Sequence, residues 1–128
     1  MTYLLDVNAL LAALWAPHQQ HARFRAWART LPGELAVCPL AELGFLRVMN
    51  AVYGVPIADG RQQLRAFKAA PTIVFWTDAE SPAAVLPTWV TKHGQTTDGY
   101  LCAVAKAHDA KLATFDKGIK DPAAFLIP

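Results

Sequence analysis

Along the chain, short runs of consecutive apolar residues alternate with longer stretches in which apolar residues recur every three or four positions. Thr2-Tyr3-Leu4-Leu5 is a strand-type run with no polar face, and Ala9 to Trp15 then reads as a helix that Pro17 stops. His21 to Thr30 places Phe24, Trp27 and Ala28 on one helical face, and Pro32-Gly33 separates it from a second run, Leu35-Ala36-Val37-Cys38. Leu40 to Tyr53 is strongly helical, with Leu43, Leu46, Val48 and Met49 apolar, and Gly54 and Pro56 end it. Ala58 to Ala70 is a further amphipathic helix before the β-branched and aromatic run Ile73-Val74-Phe75-Trp76. Ser81-Pro82 supplies a helix cap with proline at the first helical position. Thr97 to Asp109 is helical, Lys111 to Phe115 a strand, and Phe125-Leu126-Ile127 a candidate last strand. Strands without a polar face that alternate with helices predict a parallel α/β sandwich. With no internal repeat and no Gly/Ser linker, residues 1–128 are expected to form a single domain.

Composition narrows the class. The chain has 128 residues, of which 54% are hydrophobic and only 17% charged, which excludes intrinsic disorder and leaves apolar material beyond a core. Its longest apolar run, Ala9 to Ala16, is far short of the roughly 20 residues of a bilayer span, and no basic leader precedes it. A cytoplasmic protein without membrane association is the expectation. Cys38 and Cys102 lack CxxC spacing and read as small core residues. A formal charge of +2 says little about partners until the ten carboxylates are placed.

Six of these, Glu34, Asp59, Asp78, Glu80, Asp109 and Asp121, fall at turns or helix ends and read as solvated. Asp6, Glu42, Asp98 and Asp116 are embedded in apolar sequence, each just after a strand or in the first turn of the next helix, where open parallel sheets bind ligands. Glu42 heads the face of Phe45, Leu46 and Met49, and Asp98 heads that of Leu101, Cys102 and Ala105. Neither has a basic residue three or four positions on. Two unit charges about 4 Å apart repel by roughly 4 kcal/mol at an effective dielectric near 20, so four converging acids must take up protons or hold a cation. Oxygen-only donors suit Mg²⁺ or Mn²⁺ and suggest metal-assisted phosphodiester hydrolysis. Taken singly, three of the acids have a ready structural reading: Asp6 as a cap, Asp98 as a partner of the helix dipole, Asp116-Lys117-Gly118 as a turn. Glu42 instead sits a full turn into a helix whose preceding Cys38 is a poor cap, so a capping box does not account for it.

The segments around these acids also resemble a family. Tyr3-Leu4-Leu5-Asp6-Val7-Asn8-Ala9-Leu10-Leu11, Pro39-Leu40-Ala41-Glu42-Leu43-Gly44-Phe45-Leu46-Arg47-Val48, Tyr53-Gly54, Gln95-Thr96-Thr97-Asp98-Gly99-Tyr100-Leu101 and Leu112-Ala113-Thr114-Phe115-Asp116-Lys117-Gly118 are similar, in order, to the acidic motifs of PIN-domain ribonucleases, and among them of VapC-type toxins of toxin–antitoxin modules. The likeness spans nearly the whole chain. It departs at Cys38 and Ala41, where many relatives carry a hydroxyl, and at Gly99, where many carry Ala. The resemblance implies a PIN-like three-layer α/β/α sandwich with a central parallel sheet of four to five strands. It implies a Mg²⁺-dependent endoribonuclease, with Mn²⁺ as substitute, that leaves 5′-phosphate and 3′-hydroxyl ends on a structured cellular RNA. Asp6, Glu42, Asp98 and Asp116 would bind the metal, with Asn8 and Thr114 in support. Its implied partners are RNA, a second copy of the chain, and a VapB-like antitoxin that covers the acidic groove.

Arg47, Lys92 and Lys117 are candidates for phosphate contacts, and Trp15 is the one aromatic residue for which base stacking stays open. His18, His21, His93 and His108 lie in loops or at helix ends and take no role. Other readings are weaker: a dehalogenase-like phosphatase needs an Asp where Asn8 stands, and a receiver domain needs paired acids early in the chain. A PIN module that binds without cutting is the non-enzyme alternative. With the four acids set aside as metal ligands, 12 basic residues face six acids, a balance of +6 that suits a polyanion.

Overall fold

The computed structural model describes residues 1–77 and 80–128, so Asp78, expected at a solvated turn, lies outside the described residues. Strands β1 (Tyr3–Leu5), β2 (Leu35–Val37), β3 (Ile73–Phe75), β4 (Lys111–Thr114) and β5 (Ala124–Leu126) form one parallel sheet in the order β3-β2-β1-β4-β5. Helices α1 (Val7–Leu14), α2 (His21–Ala28), α3 (Pro39–Tyr53), α4 (Ile57–Lys68), α5 (Pro82–Val85) and α6 (Thr96–Ala107) flank it. This is the expected α/β/α sandwich with five strands.

The absence of a polar face in the central runs has a direct structural reason. In β1, Leu4 and Leu5 are fully buried, as are Ala36 and Val37 of β2 and Leu112 and Ala113 of β4. Helices cover both faces of a parallel sheet, so its inner strands meet no water. The edge strands are equally apolar yet leave Phe75 and Leu126 exposed. Tyr3 lies beside both Leu35 and Lys111, so the first strand is the centre of the sheet. The chain steps outward from β1 through β2 to β3, then returns to the other side of β1 as β4. The strand order therefore reverses between β1 and β4, and their carboxyl ends open the crevice that such sheets use for ligands.

Helix boundaries differ from the sequence expectation by one or two residues, for identifiable reasons. α1 starts at Val7 because Asp6 caps it, and α3 starts at Pro39, whose missing N–H is no loss in a first turn. Gly54 ends α3 in the left-handed region at φ 67°, where its N–H bonds Asn50 O and that of Val55 bonds Met49 O. The helix after Ser81 is a single turn. Before α6, a 3-10 turn at His93–Gln95 had no visible sequence signal. There Gln95 Oε1 accepts the N–H groups of Thr91 and Lys92, at 2.9 and 3.1 Å.

α1 packs against α2 and α3, α3 packs against α4, and α6 lies on β1 and β4. Phe45, Leu4, Leu5, Leu10, Met49, Leu101, Leu112 and Ile127 are the largest of the fully buried side chains, and Phe24, Trp27 and Phe115 join them at the edge of the core. Gly44 sets how closely α3 approaches the start of α1: a Cβ there would stand 2.5 Å from Val7 Cγ2. Gly44→Ala should cost about 1–3 kcal/mol in urea denaturation by prying α1 from α3. Gly94→Ala, where a Cβ meets nothing within 4 Å, should cost none. Equal effects of the two substitutions would show that the contact is not tight.

Candidate active site

The carboxyl end of β1 turns into α1 at Asp6. Its backbone is extended, its N–H bonds Ala113 O of β4 at 3.2 Å, and its Oδ1 accepts the N–H of Ala9 at 2.7 Å. The residue is 3% exposed, so the cap is buried and the carboxyl group has lost most of its hydration. Thr114, 1% exposed at the end of β4, hydrogen-bonds the Asp6 side chain, and its Oγ1 accepts the N–H of Asp116 at 3.0 Å. One hydroxyl thus donates to one acid and orients the backbone of a second. Asp116 is exposed, and its Oδ1 accepts the N–H of Gly118 at 2.7 Å. Asp98, half-buried, enters from the first turn of α6.

These three aspartates line one open cleft of about 620 Å³, together with Asn8 and Gln20 and a wall of α3 formed by Leu40, Gly44, Arg47 and Val48. Burial chiefly, with a smaller contribution from Asp98 and Asp116 and opposed by the Thr114 and Ala9 bonds, pushes Asp6 up from 3.8 to about 6. Asp98 is also raised, by burial first and then by Asp116. Negative charge is therefore packed here at an energetic cost. A somewhat larger cavity of about 700 Å³ adjoins Cys102, where Asp121 accepts from Trp89 Nε1 and Ala123 N, both at 2.8 Å, and Lys111 donates to Pro122 O, so these two charged groups are already engaged. Burial pushes the Cys102 thiol up to about 12, so it offers no thiolate nucleophile.

Glu42 is not brought to the cleft, contrary to the expectation that it would join the three aspartates. It lies two residues from both Leu40 and Gly44, about 160° around the helix from the cleft wall. Its Oε2 instead stands 2.8 Å from Lys68 Nζ of α4, an ion pair that lacks hydrogen-bond alignment, in a separate groove with Leu43, Leu46 and Arg65. The partner comes from a different helix, so a search for bases three or four positions away could not find it. Lys68 also lies 4.3 Å from the centre of the Phe75 ring.

Among the supporting candidates, Thr114 is central and Arg47 lines the cleft, while Lys92 and Lys117 are exposed and absent from its wall. Asn8 engages a network that the sequence did not reveal. His18 Nδ1 accepts from Gln20 N at 3.0 Å, so the neutral ring carries its proton on Nε2 and donates to Asn8 Oδ1 at 3.0 Å. Asn8 Nδ2 donates in turn to Gln20 Oε1 at 3.2 Å. Burial, and then His21, lowers the His18 pKa and favours this neutral form. Of the other histidines, His21 bonds Ala12 O and His108 stacks on Trp76, while His93 is exposed.

The donor chemistry of the cleft fits a hard divalent cation: oxygen only, anionic, and with no basic side chain paired to any of the three aspartates among the described residues. No group of three His, Cys, Asp or Glu side chains among the described residues is arranged as a ready cage. Mg²⁺ does not require one, since it keeps several waters and commonly binds through one or two carboxylates and its substrate's phosphates.

A parallel α/β/α sandwich with an aspartate-lined crevice at its strand switch point defines the class of protein. A sequence profile of the PIN domain matches residues 3–124. Ribonuclease VapC29 of Mycobacterium tuberculosis is 35% identical over 119 residues, covering 93% of this chain and 89% of its own. In structure the chain is similar to Mycobacterium tuberculosis VapC20, a sarcin-ricin-loop-cleaving toxin, with a TM-score of 0.71 and 12% identity over 92% of each chain. It is also similar to a chain of a toxin–antitoxin complex from Klebsiella pneumoniae, with a TM-score of 0.67 and 16% identity over 98% of each. The chain belongs to the PIN-domain family, among its VapC-type ribonucleases.

The raised pKa of Asp6 makes stability depend on pH with a defined sign. Between pH 3.8 and about 6 the folded protein keeps a proton that the unfolded chain has released. The resulting stabilisation is complete below 3.8 and is lost as pH rises through about 6. In chelator, Asp6→Asn, which preserves the cap, should be more stable than wild type at neutral pH by up to about 3 kcal/mol. That difference should shrink towards pH 4, as read by urea denaturation of both proteins across the range. A difference that does not change with pH would refute the buried-carboxyl assignment.

Proposed function

We propose that the cleft is the active site of a Mg²⁺-dependent endoribonuclease toxin, with Mn²⁺ as a substitute and cellular RNA as substrate. The observation that carries this reading is the convergence of Asp6, Asp98 and Asp116 on one crevice, with Asp6 and Asp98 held above their ordinary pKa and no cationic side chain paired to them among the described residues. Membership of a family whose curated relatives are ribonucleases supports it.

Asp6, Asp98 and Asp116 are the residues that would hold the metal. A divalent ion bound there supplies charge stabilisation at the scissile phosphate and acidifies the attacking water. Thr114 holds the Asp6 carboxyl and the Asp116 backbone in register through one hydroxyl. Asn8, fixed by His18 and Gln20, presents an amide at the rim that can orient a water or a phosphate oxygen. Arg47 supplies a cation on the opposite wall for the phosphates of flanking nucleotides. Glu42 serves instead to tie α3 to α4 through Lys68.

The antitoxin reading draws support from the Klebsiella pneumoniae complex and from apolar side chains exposed at the cleft, Val52 and Tyr53. A VapB-like antitoxin would inhibit by covering the aspartates, and a homodimer would bury further apolar surface. Cytoplasmic RNA is the substrate pool this reading requires. No helix among the described residues is long and apolar enough to cross a membrane.

Purified protein should cut RNA in Mg²⁺ or Mn²⁺ and stop in chelator. Asp98→Asn and Asp116→Asn should each lower the rate by more than about 100-fold at near-normal melting temperature, and Thr114→Val by roughly 10–100-fold with a lowered melting temperature, because it strips a donor from the buried Asp6 carboxyl. Glu42→Gln should remain within a few-fold of wild type. A wild type that is inactive with metal present, or aspartate variants that cut normally, would overturn the nuclease reading.

A further inference from the structure

The wall of the cleft away from the aspartates is aromatic and apolar, which phosphate chemistry alone does not require. Tyr53 and Val52 occupy the last turn of α3 and line the cleft. Trp15, the C-cap residue of α1, stacks on Tyr53 with ring centroids 5.0 Å apart and 28° between the planes. The stack fixes the Tyr53 ring between the ends of two helices, while 38% of the residue stays exposed and Val52 is 66% exposed. Arg47 precedes Tyr53 by six residues on the same helix, about 9 Å along its axis, and lines the same cleft.

We propose that the Trp15–Tyr53 pair is a stacking platform for an unpaired nucleobase of the RNA, next to the nucleotide whose phosphate reaches Asp6, Asp98 and Asp116. This rests on the nuclease reading and adds to it how substrate is held. An anionic crevice repels a polyanion until metal is present, so part of the hold must come from a contact that carries no charge. The Tyr53 ring, held by its stack on Trp15 and lining the cleft, supplies one, because every base has a π face. Arg47 complements it by meeting a neighbouring phosphate. A protein seated on this ring would occupy the substrate cleft itself, so in the cutting state the platform faces RNA.

The test uses the full chain and single-stranded oligoribonucleotides that carry 2-aminopurine at each position in turn. Binding is measured with Asp98→Asn in Mg²⁺ to prevent cutting, and cleavage in the otherwise native chain. Tyr53→Leu keeps apolar bulk without the ring, and Tyr53→Phe keeps the ring. Tyr53→Leu should weaken binding and raise KM by roughly 5- to 150-fold with little change in kcat. It should also abolish the quenching of 2-aminopurine at one position, and Tyr53→Phe should restore all three. Equal behaviour of the Leu and Phe variants, in a wild type that binds and cuts RNA, would overturn the platform alone. A Tyr53→Leu change in sedimentation from dimer to monomer, with RNA affinity unchanged, would assign the ring to a second copy of the chain. A wild type that neither binds nor cuts RNA would overturn the nuclease reading and the platform with it.

Discussion

The bond between the Thr114 hydroxyl and the Asp6 carboxyl joins the ends of the two strands between which the sheet order reverses. It lies where hydration is nearly absent, and a buried carboxyl needs every donor it can reach. Asp6 finds two, the N–H that begins α1 and the hydroxyl that ends β4. The direction in which α1 leaves the sheet, the alignment of β1 with β4 and the placement of Asp116 all meet at this point. Structure and chemistry are not alternatives here: the carboxyl that caps the helix is also the most perturbed acid of the site.

That double duty bears on how much the sequence revealed. For Asp6 and Asp116 the structural and functional readings are both realised, since one is a cap, the other closes a turn at Gly118, and both line the cleft. Asp98 was legible because it heads a helix whose next residues on that face, Leu101, Cys102 and Ala105, are buried. Glu42 heads a comparable face, with Phe45 and Met49 buried behind it, but a helical face looks onto whatever packs there. Which edge of α3 meets the cleft depends on the close approach of Gly44 to Val7, and the cation that takes Glu42 comes from α4. Local periodicity carries neither fact.

The sheet was legible for a related reason. Strands covered on both sides hold few polar residues, Thr114 with its bonded hydroxyl being the buried exception at the end of β4, so they stand out as apolar runs, and the helices between them carry their own stop signals in Pro17, Pro32 and Gly54. What stayed hidden was made by side chains that bond across loops: the capping of the segment before α6 by Gln95, and the His18–Asn8–Gln20 network at the rim. Such bonds have no period. They become visible only when the backbone has turned and brought the paired groups into reach.

The central place of β1 has a consequence for the life of the chain on the ribosome. β1 can pair early with β2, but its other neighbour, β4, is made only after α6, when Tyr3 is set beside Lys111. Pairing of such distant segments is slow, because the loop must close before any contact rewards it. Asp116 follows that late strand and Asp98 precedes it closely, so a growing chain that stops short of β4 holds Asp6 but neither its hydroxyl partner nor a complete set of acids. The topology therefore delays assembly of the cleft until β4 and Asp116 have been made, and a translation product interrupted before them is left without one.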